Sequence, residues 1–383
     1  MLSLSDNQIA LLQGPALALP LVLAAVPLGL AIDRYSRVRL LLLFAVFDVL
    51  GSVLTAFASD FGTLFLARCL IGLITTAVST TAFSLLSDLY PSAQRGRAST
   101  AVVIGQFGGM SAAFALGGLL ATPGSAVSDW RWAMGWLGAP LIPVVLLMLL
   151  MREPLRTVPA AERPSARQTR GALWQYRSTI LPLAAGVVAA EFAVMAVLTW
   201  AASALSRSFT LAPDRIGAIM AVALVVSGIV GPLGGGILAD LCQRKGGPRR
   251  TMWAVSSLVL LGVPAGLFSV VSDTAVASVL LIAFVTIMGA IVVSGTALFT
   301  IVVPSHVRGL SMALLAAACA LFGVGLAPVT VSVLSGLLSG SNALGNALTW
   351  VCVASSLIGA GTFGLGAWLH PRGCGHSGLR GSR

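Results

Sequence analysis

Charge is scarce in this chain. Asp, Glu, Lys and Arg make up 9% of its 383 residues, where a soluble domain carries about 25%. That shortage, with a mean hydropathy of +0.97, excludes an ordinary water-soluble globule. Histidine is rarer still. His306, His370 and His376 fall in loops or the tail, so none is placed to carry a proton inside an apolar span. The cysteines Cys69, Cys242, Cys319, Cys352 and Cys374 form no CxxC and no His-paired ligand set. Neither a disulfide, a metal nor any other cofactor is expected. The sequence has no ATP-binding motif. It also lacks paired carboxylates or a nucleophile and base at a shared depth, so it does not read as an enzyme.

Long apolar runs are what the chain does have. Eleven stretches of roughly 20 residues can each cross a bilayer core. They run over 9–31, 39–58, 62–86, 98–121, 131–151, 178–204, 214–238, 251–271, 275–300, 309–336 and 344–369. The fold class is therefore an all-α membrane protein. The apolar run from Ile9 is too long for a signal-peptide core and has no basic flank before it. Ser5-Asp6-Asn7-Gln8 reads instead as a capping box that opens a helix.

The net charge of +11 is a topology signal. Nineteen of the 23 Lys and Arg residues fall in alternate loops, from Arg34, Arg37 and Arg39 to the tail residues Arg372, Arg380 and Arg383. The opposite loops hold only Arg131, Arg207 and Arg215, and Arg68 lies inside a span. The positive-inside rule then places the N-terminus outside and the C-terminus in the cytoplasm. The location expected is the inner (plasma) membrane, multi-pass, among membrane lipids. Charges sorted by loop do not make a nucleic-acid groove, so no nucleic-acid partner is expected, and the chain is expected to be a monomer. Trp130, Trp132, Trp200 and Trp350 near one set of span ends, and Trp253 and Trp368 near the other, read as interfacial belts.

The same punctuation occurs twice. Gly29-Leu30-Ala31-Ile32-Asp33-Arg34, with Arg37 and Arg39, returns as Gly236-Ile237-Leu238-Ala239-Asp240, with Arg244 and Lys245. Pro91, Arg95 and Gly96 return as Pro304, Arg308 and Gly309. These landmarks indicate a duplicated helical protein, the plan of many secondary transporters. The polar, Arg-rich segment 152–177 divides an N-terminal bundle (1–151) from a six-helix C-terminal bundle (178–370), with a basic tail at 371–383. In the second half the repeated loop follows the second span, and in the first half it follows the first. The first bundle is thus expected to lack its opening helix.

The Gly29–Arg39 loop resembles the signature loop of the major facilitator superfamily. Leu64-Phe65-Leu66-Ala67-Arg68, then Gly72, is similar to the superfamily's fourth-helix motif. The spinster-like branch is resembled by Leu2-Ser3-Leu4-Ser5-Asp6 running into Leu11-Leu12-Gln13-Gly14. It is resembled also by Ser87-Asp88-Leu89-Tyr90-Pro91 with Arg95-Gly96-Arg97-Ala98, and by Arg152-Glu153-Pro154. The resemblance implies a major facilitator fold of two pseudo-symmetric bundles, here with about eleven helices. It differs in the missing first helix, and in Thr75 where the branch often has Glu.

Gly29 and Gly236 are expected to let neighbouring helices approach closely. Asp33 and Asp240 can accept hydrogen bonds at a helix N-terminus, where the macrodipole favours an anion. Arg34, Arg37 and Arg95 can pair with Asp33, Asp88 or lipid phosphates. The resemblance implies that Asp33 latches the bundles in one access state. The alternative is that these residues only orient the chain. Within the spans, Arg68, Glu191 and Asp48 are costly, about 3 kcal/mol each, and are candidates for substrate binding or proton coupling. Arg68 suits an anionic head or a carboxylate. Glu191, mid-span, suits a proton carrier or a cation ligand. Asp48 reads more readily as a packing residue. Gly105, Gly108, Gly109, Gly117 and Gly118 read as close-packing positions.

The expected function is secondary active transport of a small organic or lipid-like solute by alternating access, coupled to protons. A drug exporter, an organic-anion symporter and a truncated non-transporting scaffold are the alternatives.

Overall fold

The computed structural model describes residues 4–90, 94–122, 130–151, 153, 177–209, 211–303, 308–340 and 342–370. Among the described residues every regular element is a helix. The N-terminal elements are α1 (Asp6–Gln13), α2 (Pro15–Arg34), α3 (Arg37–Ala56), α4 (Phe61–Leu89), α5 (Arg95–Ala121), α6 (Trp130–Gly138) and α7 (Leu141–Met148). Next come α8 (Arg177–Phe209), α9 (Pro213–Leu260), α10 (Gly262–Ala265), a 3₁₀ turn (Gly266–Ser269) and α11 (Thr274–Val302). The last are α12 (Arg308–Ala318), a π-helical segment (Cys319–Leu326), α13 (Ala327–Leu337) and α14 (Ala343–Leu369). Among the described residues ten stretches are long and apolar enough to cross a bilayer, and the longest, Pro213–Ser269, holds two spans. They are joined at Gly247, whose φ of 67° is a left-handed turn, followed by Pro248. The eleven expected spans are therefore all helical. Most of the expected linker and the tail 371–383 lie outside the described residues.

The sequence writes its helix starts in polar caps. Gln8 N–H donates to Ser5 Oγ at 3.3 Å and Ser5 N–H to Gln8 Oε1 at 3.0 Å, completing the expected capping box. Asp60 accepts from Thr63 N–H at 2.9 Å to open α4, and Asp273 accepts from Ala275 N–H at 2.7 Å to open α11. Asp60 is held below the usual carboxylate range by its hydrogen bonds from Thr63. Inside the spans, Thr75, Thr81 and Thr286 donate to Ile71, Ala77 and Ile282 carbonyls one turn back. That satisfies each hydroxyl where no water can.

The contacts divide the chain into two compact units. The first holds Met1–Glu162, Leu198–Val225 and Ala320–Leu348. In it α4 packs on α2 and α3, with Gly72 against the backbone of Leu17 and Gly51 against Ile71. Ala16, Ala18, Ala58, Ala67, Trp200 and Val331 are fully buried in it. The second unit holds Arg163–Val197, Val226–Cys319 and Thr349–Arg383. Its helices cross where small residues meet aromatic rings, as Gly186 and Gly295 do at Phe363. Ser256 donates to the Ala360 carbonyl at 2.7 Å and Ser294 to the Gly235 carbonyl at 2.8 Å, joining helices by hydrogen bonds.

Two expectations are corrected. Trp200 is fully buried, with its indole N–H on the Pro328 carbonyl at 3.0 Å, so it belongs to the core and not to an interfacial belt. The α5 glycines are not all close-packing positions. A Cβ at Gly105, Gly108, Gly109 or Gly117 would meet nothing within 4 Å among the described residues, and only Gly118 of the five meets a neighbouring backbone. The apolar stretches of α5 and α6–α7 are 6% buried, against 28–44% for every other span.

Candidate functional site

The two ends of the spans differ in charge, one arginine-rich and one arginine-poor, and each end carries a clasp. At the arginine-poor end, Arg207 Nη1 and Nη2 donate to Asp6 Oδ2 and Oδ1 at 2.8 and 2.7 Å. Asp6 lies in the first turn of α1 and Arg207 in the last turn of α8, where the helix dipoles favour an anion and a cation respectively. Next along α1, Ser332 Oγ donates to Asn7 Oδ1 at 2.7 Å. Deeper still, backbones meet. A Cβ at Gly14 would lie 2.5 Å from the Gly325 carbonyl oxygen, and one at Gly118 2.9 Å from Gly217 Cα. Ser111 Oγ donates to the Ala221 carbonyl at 3.0 Å. All these contacts lie within the first unit. They join residues before the expected linker to residues after it, and so form a seal between the two sequence halves.

Sequence reasoning missed this seal. Its hydrogen-bonded members are 110 to 325 residues apart. One signal was available: Arg207 is among the few basic residues on the arginine-poor side. A cavity of about 380 Å³ lies beside the seal, lined by Phe114, Gly117, Ser203, Ser206, Arg207 and Ile216.

At the arginine-rich end, Glu153 caps α3. Its carboxylate accepts from Ser36 Oγ at 2.7 Å, Val38 N–H at 2.8 Å and Arg37 N–H at 3.1 Å. Arg37 Nε adds an ion pair at 3.3 Å. Partial burial pushes the Glu153 carboxyl up, and the bonds from Ser36, Val38 and Arg37 outweigh it, so it lies below its ordinary range. Arg37 is buried and also donates to Ser84 Oγ at 3.3 Å. The signature-loop arginine therefore has Glu153 as an acidic partner that the spacing did not predict. The side chains of Asp33, Asp88 and Arg95 lie outside the described residues. Arg34 and Asp240 are exposed.

The close approach expected at Gly29 and Gly236 is not found. Among the described residues, nothing lies within 4 Å of a Cβ built at either one. In the second copy the tight crossing falls one residue earlier, where Gly235 meets the Ala290 backbone. A one-residue step turns a helix by about 100°, enough to aim Gly236 away from α11.

Of the in-span charges, Arg68 and Asp48 fall in the first unit and Glu191 in the second. Arg68 lies two turns into α4 and Asp48 in the middle of α3. Glu191 is at mid-length of α8, and its carboxylate lies within electrostatic reach of the Cys319 thiol. A cavity of about 470 Å³ opens between α2 and α4, with Phe65, Cys69 and Leu73 of α4 in its wall and Arg68 not part of its lining. It is lined almost wholly by apolar groups, including Leu19, Pro20 and Leu23. Among the described residues no cluster of His, Cys, Asp and Glu could hold a metal ion.

The fold is that of a bacterial homolog of the human lysosomal transporter spinster, solved in an inward-facing and unoccupied conformation. The two superpose with a TM-score of 0.80 at 21% identity, over 96% of this chain and 90% of that one. A D-xylose–proton symporter superposes with a TM-score of 0.72 at 17% identity, over 94% and 88%. In sequence, an MFS-type efflux pump of Mycolicibacterium smegmatis is 30% identical over 64% of this chain and 57% of its own length. Protein spinster homolog 1 of Xenopus tropicalis is 29% identical over 45% of this chain and 32% of its own. The chain thus spans little more than half, or less, of these curated relatives. The profile of the Major Facilitator Superfamily matches residues 2–328. An integral, multi-pass, all-helical chain with this fold and this match belongs to the Major Facilitator Superfamily.

Proposed function

We propose that the protein is a secondary active transporter that moves an amphipathic, lipid-like solute by alternating access, coupled to protons. The observation that carries the reading is the seal at the arginine-poor end. It ties the two sequence halves together through one exposed ion pair, a few hydrogen bonds and bare backbone crossings. Such contacts can close a gate and still release it, because exposed ion pairs contribute only about 0.2–1 kcal/mol each. By the positive-inside rule this end faces outside. Arg68, a lone cation two turns into α4, suits a solute with an anionic head. Glu191, at mid-length of α8, suits a proton carrier. The names of the relatives, among them a spinster homolog and a triacylglyceride transporter, support a lipid-like cargo.

The test is gradient-driven flux in proteoliposomes, read with a panel of radiolabelled single-chain amphipathic anions. Uptake that collapses when a protonophore dissipates the pH gradient is expected. A folded, fully incorporated protein that moves no member of the panel under either gradient direction would overturn the reading.

A further inference from the structure

The helix that closes the seal from the C-terminal half is not α-helical throughout. Between α12 and α13 it runs as a π-helix over Cys319–Leu326. Eight residues is long for a geometry that usually occupies one turn, and such turns gather at functional sites. The π segment has a neighbour on the other side of the seal that is irregular too. Gly14, with φ −106° and ψ −96°, breaks α1 from α2. These two discontinuities meet each other. The Gly325 carbonyl faces Gly14, and a Cβ at Gly325 would lie 3.0 Å from Ala18 Cβ.

The stretch after the π segment reaches the seal through Ser332, which donates to Asn7, while Pro328, within the C-terminal half, accepts from the Trp200 indole of α8. At the start of the π segment stands Cys319, the residue within reach of the Glu191 carboxylate. Along the chain, the irregular turn thus separates Cys319, within electrostatic reach of the in-span acid, from Pro328 on Trp200 and Ser332 on Asn7. Tightening one π turn to α-helix removes one residue of slack. The distal part then rotates by about 100° and shifts by about 1.5 Å relative to the proximal part. Such a rotation carries the Pro328 carbonyl and Ser332 off their partners together, with no other helix moving first.

We propose that the π segment Cys319–Leu326 is the hinge of the seal, and that π-to-α conversion there releases α13 from Trp200 and Asn7 and Gly325 from Gly14. The inference rests on reading the seal as a gate. The experiment separates the two. Trp200 is the reporter, in a chain whose seven other tryptophans are phenylalanine, reconstituted in nanodiscs and quenched by iodide. Deleting Phe322, an exposed residue of the π segment, enforces α-helical register. Quenching of Trp200 is expected to rise at least threefold. Gly325→Ala, which pries the crossing apart without changing register, is expected to raise it as well.

A rise with Gly325→Ala and none with the deletion would overturn the hinge and leave the gate standing. No rise with either variant would overturn both. Should the deletion fail to fold, backbone hydrogen exchange of the full-length chain decides. The amides of 319–326 are expected to exchange at least tenfold faster than those of 329–336. A disulfide between Asn7→Cys and Ser332→Cys, in a chain freed of its native cysteines, is expected to abolish that difference. Exchange that ignores the disulfide overturns the hinge.

Discussion

Arg207 grips both carboxylate oxygens of Asp6 across 201 residues of sequence. The pair is bidentate, the geometry that makes Arg–carboxylate contacts specific. Its side chains are 47% and 31% exposed, so solvent screens it. Asp6→Asn should therefore leave folding intact. It should shift the balance between sealed and open states by at most about fivefold, the factor that about 1 kcal/mol gives. The check is the labelling rate of Ser332→Cys by a membrane-impermeant maleimide added from the outer side. A two- to fivefold rise is expected, and Arg207→Gln should match it. A rate equal to that of the parent would show that the pair does not hold the seal.

Glu153 links pH to the stability of the first bundle. Its folded-state carboxyl lies below its ordinary value of 4.5. The stabilisation is thus fully present above that ordinary value and is lost as the pH falls through the folded value. Glu153→Gln should lower thermal stability at neutral pH by about 1 kcal/mol, since the carboxylate is only partly buried. It should also flatten the loss of stability below the ordinary value of 4.5. Parallel acid-melting curves for parent and variant would mean that the clasp carries no stability.

The membrane-spanning fold was legible because it is written locally. Span length, alternating arginine and the two Gly–Asp loops each occupy a short window, and all eleven spans are helical. The capping box at Ser5 was legible for the same reason. Pairing across the chain was not. Nothing in the window around Asp6 points to Arg207, and nothing near Arg37 points to Glu153. The glycine readings erred on a different scale. A glycine permits close approach without saying which face is approached, so Gly235 and Gly72 meet backbones while Gly236, Gly29 and Gly105 do not. The π segment left no periodic signature, since Cys319–Leu326 is apolar on every side.

Arg68 and Glu191 predict separable defects. Arg68→Ala should abolish transport with helix content and melting unchanged, and Arg68→Lys should recover a fraction of it, because the charge returns without the planar fork. Glu191→Gln should leave binding of solute measurable while flattening the pH profile of flux. Undiminished flux in Arg68→Ala would remove that residue from the site. A pH profile that keeps its shape in Glu191→Gln would make Glu191 a packing residue.

Gly72 tests the packing that sets the cavity between α2 and α4. A Cβ there would come within 2.7 and 2.8 Å of Leu17 Cα and carbonyl carbon. A backbone cannot yield as a side-chain tip can, so α2 must move as a body. Overpacking of this kind costs about 1–3 kcal/mol. Gly72→Ala should therefore lower the melting temperature clearly. Gly105→Ala, with open space before it, should be neutral or slightly stabilising, because alanine is the better helix former by about 1 kcal/mol. The two alanines add the same methyl group to the same bundle, so a difference between them isolates packing from helix propensity. Equal melting temperatures would mean that α2 does not bear on α4 at Gly72, and the cavity walls would need another support.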